Sequence, residues 1–346
     1  MTVHQVKKSF RFPSVAVLVA ILVSFFNTSS AIASTPEEEE KFNPSDMIMH
    51  HVVDDHVWHF VDGHYGTLHL PIIVYSEEKG LEIFSSANFY DDDHNIVPYI
   101  GYTLAHGHIS LTDNEESHVY DFSITKTVLM LFINAAFMLL VFTAVARGYK
   151  KNAGKAPKGI QSLFEPIIIY LRDDVIKPNI GPKYERFLPY LLSLFFFIWF
   201  GNLLGLLPGA ANLTGNIAVT IVLAVATFLI VNLNGNRQYW GHIFKTPGVP
   251  WPLLFIIVPV EIIGVFTKPF SLLIRLFVAI TAGHIVILSL VALTFIFHSY
   301  AVGVGSTLIV MFVSLIELLV ATIQAYVFTM FSALYIGMAV ADHDDH

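Results

Sequence analysis

The stretch "KPFSLLIRLFVAITAGHIVILSL", residues 268–290, reads as a membrane-spanning helix with one arginine, Arg275, in its interior. A cation at the centre of a lipid-spanning helix costs roughly 3 kcal/mol on insertion scales and more in simulations. The sequence around it therefore has to provide a partner, a water-filled cavity or a neighbouring protein.

The rest of the chain is consistent with a membrane. Of its 346 residues, 55% are hydrophobic and 13% are charged, against about 25% charged in an ordinary soluble domain. The expectation is an all-α integral membrane protein with about five membrane helices, the last two long, tilted and antiparallel, preceded by a small mixed extension. There is no cysteine, which excludes disulfides, thiolate metal sites and cysteine nucleophiles. Most acidic residues precede Ser123 and most Lys and Arg follow it. That asymmetry bears on topology and gives no reason to expect nucleic acid as a partner.

Three divisions are expected. Residues 1–33 read as a secretory signal: Lys7, Lys8 and Arg11 precede the apolar "SVAVLVAILVSFF", and Ala31 and Ala33 mark a cleavage site. A short first anchor is the alternative. Residues 34–122 form an acidic, histidine-rich periplasmic extension, with strands expected in "LPIIVYS" and "LEIFSS" and an amphipathic helix in "DMIMHHVVDDHVWHF". Its ten histidines could bind metal, collect protons or simply be solvated, and the last is favoured. Residues 123–346 form the membrane domain.

Within that domain the basic loops order the spans. Span one is 124–146, followed by Arg147, Lys150, Lys151, Lys155 and Lys158. "IQSLFEPIIIYLRDDVIKPNIG" reads as a helix at the cytoplasmic interface. Spans two and three are 187–209 and 216–234, and Arg237 and Lys245 follow. Residues 252–298 and 306–340 are the long pair. The mature N-terminus falls in the periplasm and the C-terminus in the cytoplasm.

A turn near residue 300 places His284 level with Glu317, and Arg275 within a turn of Gln324. Arg275 and His284 are nine residues apart, roughly 13 Å along the axis and about half a turn round it. Glu261 and Ser271 lie towards the inner side. A histidine–carboxylate pair suits proton relay. Arginine stays charged, so it can hold a carboxylate ionised but cannot relay a proton by releasing one. The bland alternatives are an Arg275–Glu317 structural bridge, a hydrogen-bonded core histidine at His284, and interhelical glue at Gln324.

"KPFSLLIRLF" followed by "AGH", "IELLVATIQAYVFTMFSALYIG", "FGNLLGLLPG" and "TGNIAVT" together resemble subunit a of the rotary ATP synthase membrane sector, over residues 124–340. The resemblance implies a non-catalytic proton-channel stator without cofactor or metal. Its implied partners are the ring of c subunits, the peripheral-stalk subunit b, the lipid bilayer and, indirectly, the soluble sector. The implied place is the cell inner membrane. Carried over, Arg275 matches the essential arginine that faces each ring carboxylate and separates two aqueous half-channels. His284 and Glu317 match the outer half-channel pair, and Gln324 the final-helix glutamine. Glu261 and Ser271 match inner half-channel positions, and Asn202 and Asn216 polar positions of earlier helices. Ala279 departs from the family's asparagine. "GYKKNAGKA" is one residue too long for a phosphate-binding loop and ends in Ala156. Two rival readings are a self-contained proton-coupled transporter and a membrane-anchored metal sensor.

Overall fold

The computed structural model describes residues 53–59, 67–91, 96–105, 107–112, 118–152, 154–207, 209–245, 250–297 and 299–341. The expected signal peptide, 1–33, lies outside the described residues.

The extension is built from short antiparallel strands. β1 (Val57–His59) pairs with β2 (Thr67–His69). β3 (Pro71–Ser76) and β4 (Gly80–Ser85) form a hairpin over the "EEKG" turn, with Val74 opposite Glu82. β5 (Tyr102–Ala105) pairs with β6 (His108–Leu111), and β7 (Val119–Asp121) adds to the free edge of β3. Alternation explains the core: Ile72 and Val74 point inward onto Phe89, Tyr102 and Leu104. The expected amphipathic helix over "DMIMHHVVDDHVWHF" is corrected at its described end. Val57–His59 is a strand, because its backbone pairs with β2.

The helices follow. α1 (Lys126–Lys151) buries Thr127, Met130 and Asn134, spaced three and four apart on one face. α2 (Ile160–Tyr170) continues through a wide turn at Leu171–Ile176 into the short α3 (Lys177–Ile180). Two of the charges in this segment pair locally, with Arg172 donating to both carboxylate oxygens of Asp173 at 2.8 Å. α4 (Tyr184–Gly205) is the second span and α5 (Ile217–Leu233) the third. α6 (Arg237–Phe244) leaves α5 at 100°. α7 (Trp251–Phe297) and α8 (Tyr300–Val340) are the antiparallel pair; their turn falls near residue 300 as expected, but α8 begins at Tyr300, six residues before the expected 306. Among the described residues, four helical stretches are long and apolar enough to cross a membrane, or five if α5 and α6 count as one span.

α7 has 47 residues and α8 has 41. At 1.5 Å per residue they are roughly 70 and 60 Å long, against a hydrocarbon core of about 30 Å. Both must lie steeply tilted or project beyond it. Close helix approach comes from small residues: Ala321, Ala325, Ala333 and Ala339 of α8 are fully buried. Gly337 is obligatory, because a Cβ there would stand 1.9 Å from the Asn179 carbonyl oxygen of α3. The carbonyls left over at the end of α8 are satisfied from other elements. Lys183 and Asn236 donate to the Val340 oxygen at 3.1 and 2.9 Å. This fixes the basic end of the molecule as the end where α8 finishes.

Candidate functional site

The end opposite the basic loops carries a polar cleft. Lys126 and Thr127 of α1 line it, with Ala211, Asn212, Gly215 and Asn216 of the α4–α5 loop and Thr281 and His284 of α7. Asn216 is the N-cap of α5: its side-chain oxygen accepts from the Ala218 N–H at 2.9 Å. Its amide donates to Thr127 Oγ1 at 3.4 Å, so α1 and α5 meet at the cleft wall. The buried Thr281 hydroxyl has no hydrogen-bond partner among the described residues. A roomy, incompletely satisfied polar site of this kind suits water.

Glu317 of α8 stands next to this cleft. It is 4% exposed, and neither carboxylate oxygen has a hydrogen-bond partner among the described residues. Its Oε1 approaches Gly283, the residue before His284, so closely that a Cβ there would sit 3.1 Å away. His284 and Glu317 are thus brought to the same level, as the pairing of the helices predicts. A buried carboxyl without partners is expensive and persists where something other than stability requires it.

Arg275 lies elsewhere. It is exposed on the chain surface, and its guanidinium rests 4.6 Å from the centre of the Phe331 ring. Such a cation–π contact contributes about 0.5–2 kcal/mol, less than the roughly 3 kcal/mol cost of a mid-membrane cation. Arg275 makes no ion pair with any described residue. An Arg275–Glu317 structural bridge is therefore absent among the described residues. Ile274, Val278 and Phe270 beside Arg275 are exposed apolar side chains, so the arginine sits on an open apolar face of α7.

The remaining expected residues divide. Gln324 is half-buried on α8, seven residues from Glu317, while Arg275 contacts Phe331, about two turns further on. Glu261 and Ser271 are half-buried on α7. Glu261 acts electrostatically on Tyr239 of α6 and Lys268 of α7. Lys268 in turn lies 5.7 Å from the Tyr335 ring centre. A second, largely apolar cleft opens in this basic half; Thr227, Asn232, Tyr239, Lys268 and Tyr335 are its polar lining residues, beside Phe228, Val231, Val265, Pro269 and Leu272. Asn202 is buried and fully engaged, donating to the Ala321 carbonyl at 3.1 Å and accepting from Thr214 Oγ1 at 2.5 Å. Its geometry ties α4 to α8 one turn beyond Glu317.

Lys126, Thr127, Thr281 and Gly283 were not singled out from the sequence. For Lys126 and Thr127 the available signal was the helix start "TKT": Thr125 caps α1, its Oγ1 accepting from the Val128 N–H.

A family model described as ATP synthase A chain matches residues 128–337. A second, described as Domain of unknown function (DUF8433), matches residues 47–129. ATP synthase subunit a 2 of Chlorobaculum tepidum is 40% identical over 327 residues, 92% of this chain and 79% of that protein. ATP synthase subunit a of Chloroherpeton thalassium is 49% identical over 231 residues, 66% of this chain and 69% of that protein. ATP synthase subunit a of Pelodictyon phaeoclathratiforme is 39% identical over 333 residues, 94% of this chain and 84% of that protein. With its spans and these relatives in agreement, the chain belongs to the ATP synthase subunit a family, the multi-pass, non-catalytic proton-channel subunit of the ATP synthase complex.

Proposed function

We propose that this chain supplies two aqueous half-channels to a rotating ring of c subunits, with Arg275 between them. The observation that carries the reading is Arg275 itself: a permanent cation on an open apolar face, with no ion-pair partner among the described residues. A carboxylate on a partner subunit, presented within the membrane, matches that charge and that surface. Peripheral-stalk subunit b and the soluble sector complete the assembly, and the inner membrane is its place.

In this reading the end bearing the extension faces the periplasm and the basic end, with the C-terminus, faces the cytoplasm. A proton enters through the cleft beside His284 and Glu317 and neutralises a ring carboxylate. The neutral carboxyl can then travel through lipid without the cost of a bare charge. After most of a turn it reaches the second cleft, near Glu261 and Ser271, and releases the proton. Arg275 stays protonated, holds the arriving carboxylate ionised and blocks a direct path between the clefts. Gln324 stands on the final helix beside this route. Asn216 positions the cleft wall, and Asn202 holds α4 against α8.

The chain has no cysteine, so cross-linking reads out cleanly. Cysteines replacing Ile274, and separately Val278, are paired with a cysteine placed one turn from the ring carboxylate. Oxidation should yield a disulfide between the two subunits in the intact complex. No disulfide from either position, while a cysteine at the exposed Leu140 of α1 cross-links to the ring, would reject this face as the ring contact.

A further inference from the structure

Far from the long helices in sequence, the extension reaches the cleft through a few residues. Asp54 accepts from Thr125 Oγ1 at 2.8 Å through Oδ2, and from the Thr127 N–H at 3.1 Å through Oδ1. The Asp55 carbonyl accepts from the Lys126 N–H at 3.0 Å. Trp58 donates from its indole nitrogen to the Gly209 carbonyl in the α4–α5 loop. Its ring packs with Met130 and Ala211. The first turn of α1 and the following loop, which together wall the cleft, are therefore both held from the extension.

We propose that Asp54 is a positioning residue for proton access: by capping α1 it fixes Lys126 and Thr127 in the cleft that holds His284, and Asp54 and Asp55 set against Lys126 determine the local proton supply there. This rests on the reading of the cleft as the outer half-channel. Lys126 is the cation of the cleft lining, and Asp55 and Asp54 act on it electrostatically. Among the described residues that line the cleft or adjoin it, α1 contributes Lys126, α8 contributes Glu317, and the α4–α5 loop contributes the uncharged Asn212 and Asn216. In the extension, the buried His56 pairs with Asp121 and so is engaged away from the cleft.

The physical consequence has a sign. Removing the Asp54 charge leaves Lys126 less compensated, makes the mouth more positive and lowers proton occupancy at a given bulk pH. Removing Lys126 does the opposite. A unit charge at the distance of a neighbouring helix shifts such an equilibrium by roughly 0.3–1 pH unit. A cap that acted on stability alone would change assembly and leave the pH dependence where it was.

The test uses the whole ATP synthase in proteoliposomes. ATP synthesis is driven by a fixed membrane potential while the pH on the extension side is varied. Asp54→Asn keeps an oxygen that can accept from the Thr127 N–H and loses the charge. It should move the pH of half-maximal rate to lower pH by roughly 0.3–1 unit, while Lys126→Gln moves it to higher pH. Unchanged midpoints, or midpoints that move in the same direction, would overturn the proposal, as would a rate reduced equally at every pH. Arg275→Ala serves as the separate control. If it still couples, the half-channel reading has failed. If it uncouples while Asp54→Asn and Lys126→Gln keep the wild-type midpoint, only the role of Asp54 has failed.

Discussion

Glu317 presses its carboxylate against Gly283, one residue before His284, at a spacing that leaves no comfortable room for a methyl group. Any preference for glycine here comes from the neighbouring acid and not from backbone conformation, since α7 is helical throughout. The contact joins the two long helices at the level of the proposed outer half-channel.

Gly283→Ala should therefore disturb function more than assembly. The added Cβ pushes the Glu317 carboxylate aside by a few tenths of an ångström, at a cost of about 1 kcal/mol or less. Passive proton conductance of the membrane sector should fall roughly tenfold while the complex still assembles. Wild-type conductance would show that Glu317 is free to move without consequence.

Replacing Glu317 separates stability from activity. Glu317→Leu removes two buried oxygens that have no hydrogen-bond partner among the described residues. Thermal unfolding of the complex should shift upward, by about 1–2 kcal/mol of stability, while ATP-driven proton pumping is lost. Glu317→Gln should lose pumping without the gain in stability. Retained pumping in either variant would remove Glu317 from the path.

Asn202 should respond in the reverse manner. Asn202→Ala abandons the Ala321 carbonyl and the Thr214 hydroxyl in a buried site, at about 1–3 kcal/mol for each group left unsatisfied. Thermal stability should drop clearly. Pumping per assembled complex, measured below the melting transition, should stay within about twofold.

The extension should loosen in acid. Burial works to raise the Asp121 carboxyl, but hydrogen bonds from His56 and Ser123 outweigh it and hold the group below its ordinary value. A carboxyl depressed by folding contributes stability that is complete above its unfolded value, near 3.9, and lost as pH falls through the folded one. Limited proteolysis of the extension should be flat from about pH 7 to 5 and rise below about pH 4. Asp121→Asn should flatten that acid limb.

Much of this fold was legible because lipid imposes long apolar helices and basic loops mark one side. The α7–α8 turn falls between Phe297 and Tyr300, where an antiparallel pairing centred near 300 requires it. That arithmetic worked for backbone neighbours such as Gly283 and Glu317. For long side chains, level and contact differ: Arg275 is expected level with about residue 326, and its guanidinium rests on Phe331, five residues further along. Side chains on a helix lean towards its N-terminus, and the N-terminal direction of α7 runs towards higher numbers on α8. Arg275 accordingly meets Phe331, and Lys268 meets Tyr335.

The cleft wall was not legible. Asp54 and Thr125 are 71 positions apart, and Trp58 and Gly209 are 151 apart. No periodicity connects them, and their chemistry becomes visible only once the fold places them together. Asn202 enters the sequence reading only as a polar position implied by the resemblance; its hydrogen bonds to the Ala321 carbonyl and Thr214, which tie α4 to α8 and the α4–α5 loop, become visible only in the fold.

The central claim is that Arg275 couples proton flow to a partner carboxylate. It is tested most directly by ATP-driven acidification of inverted membrane vesicles, comparing wild type with Arg275→Ala at equal amounts of assembled complex. The account predicts that acidification disappears while ATP hydrolysis by the soluble sector survives. Undiminished acidification in Arg275→Ala would contradict it.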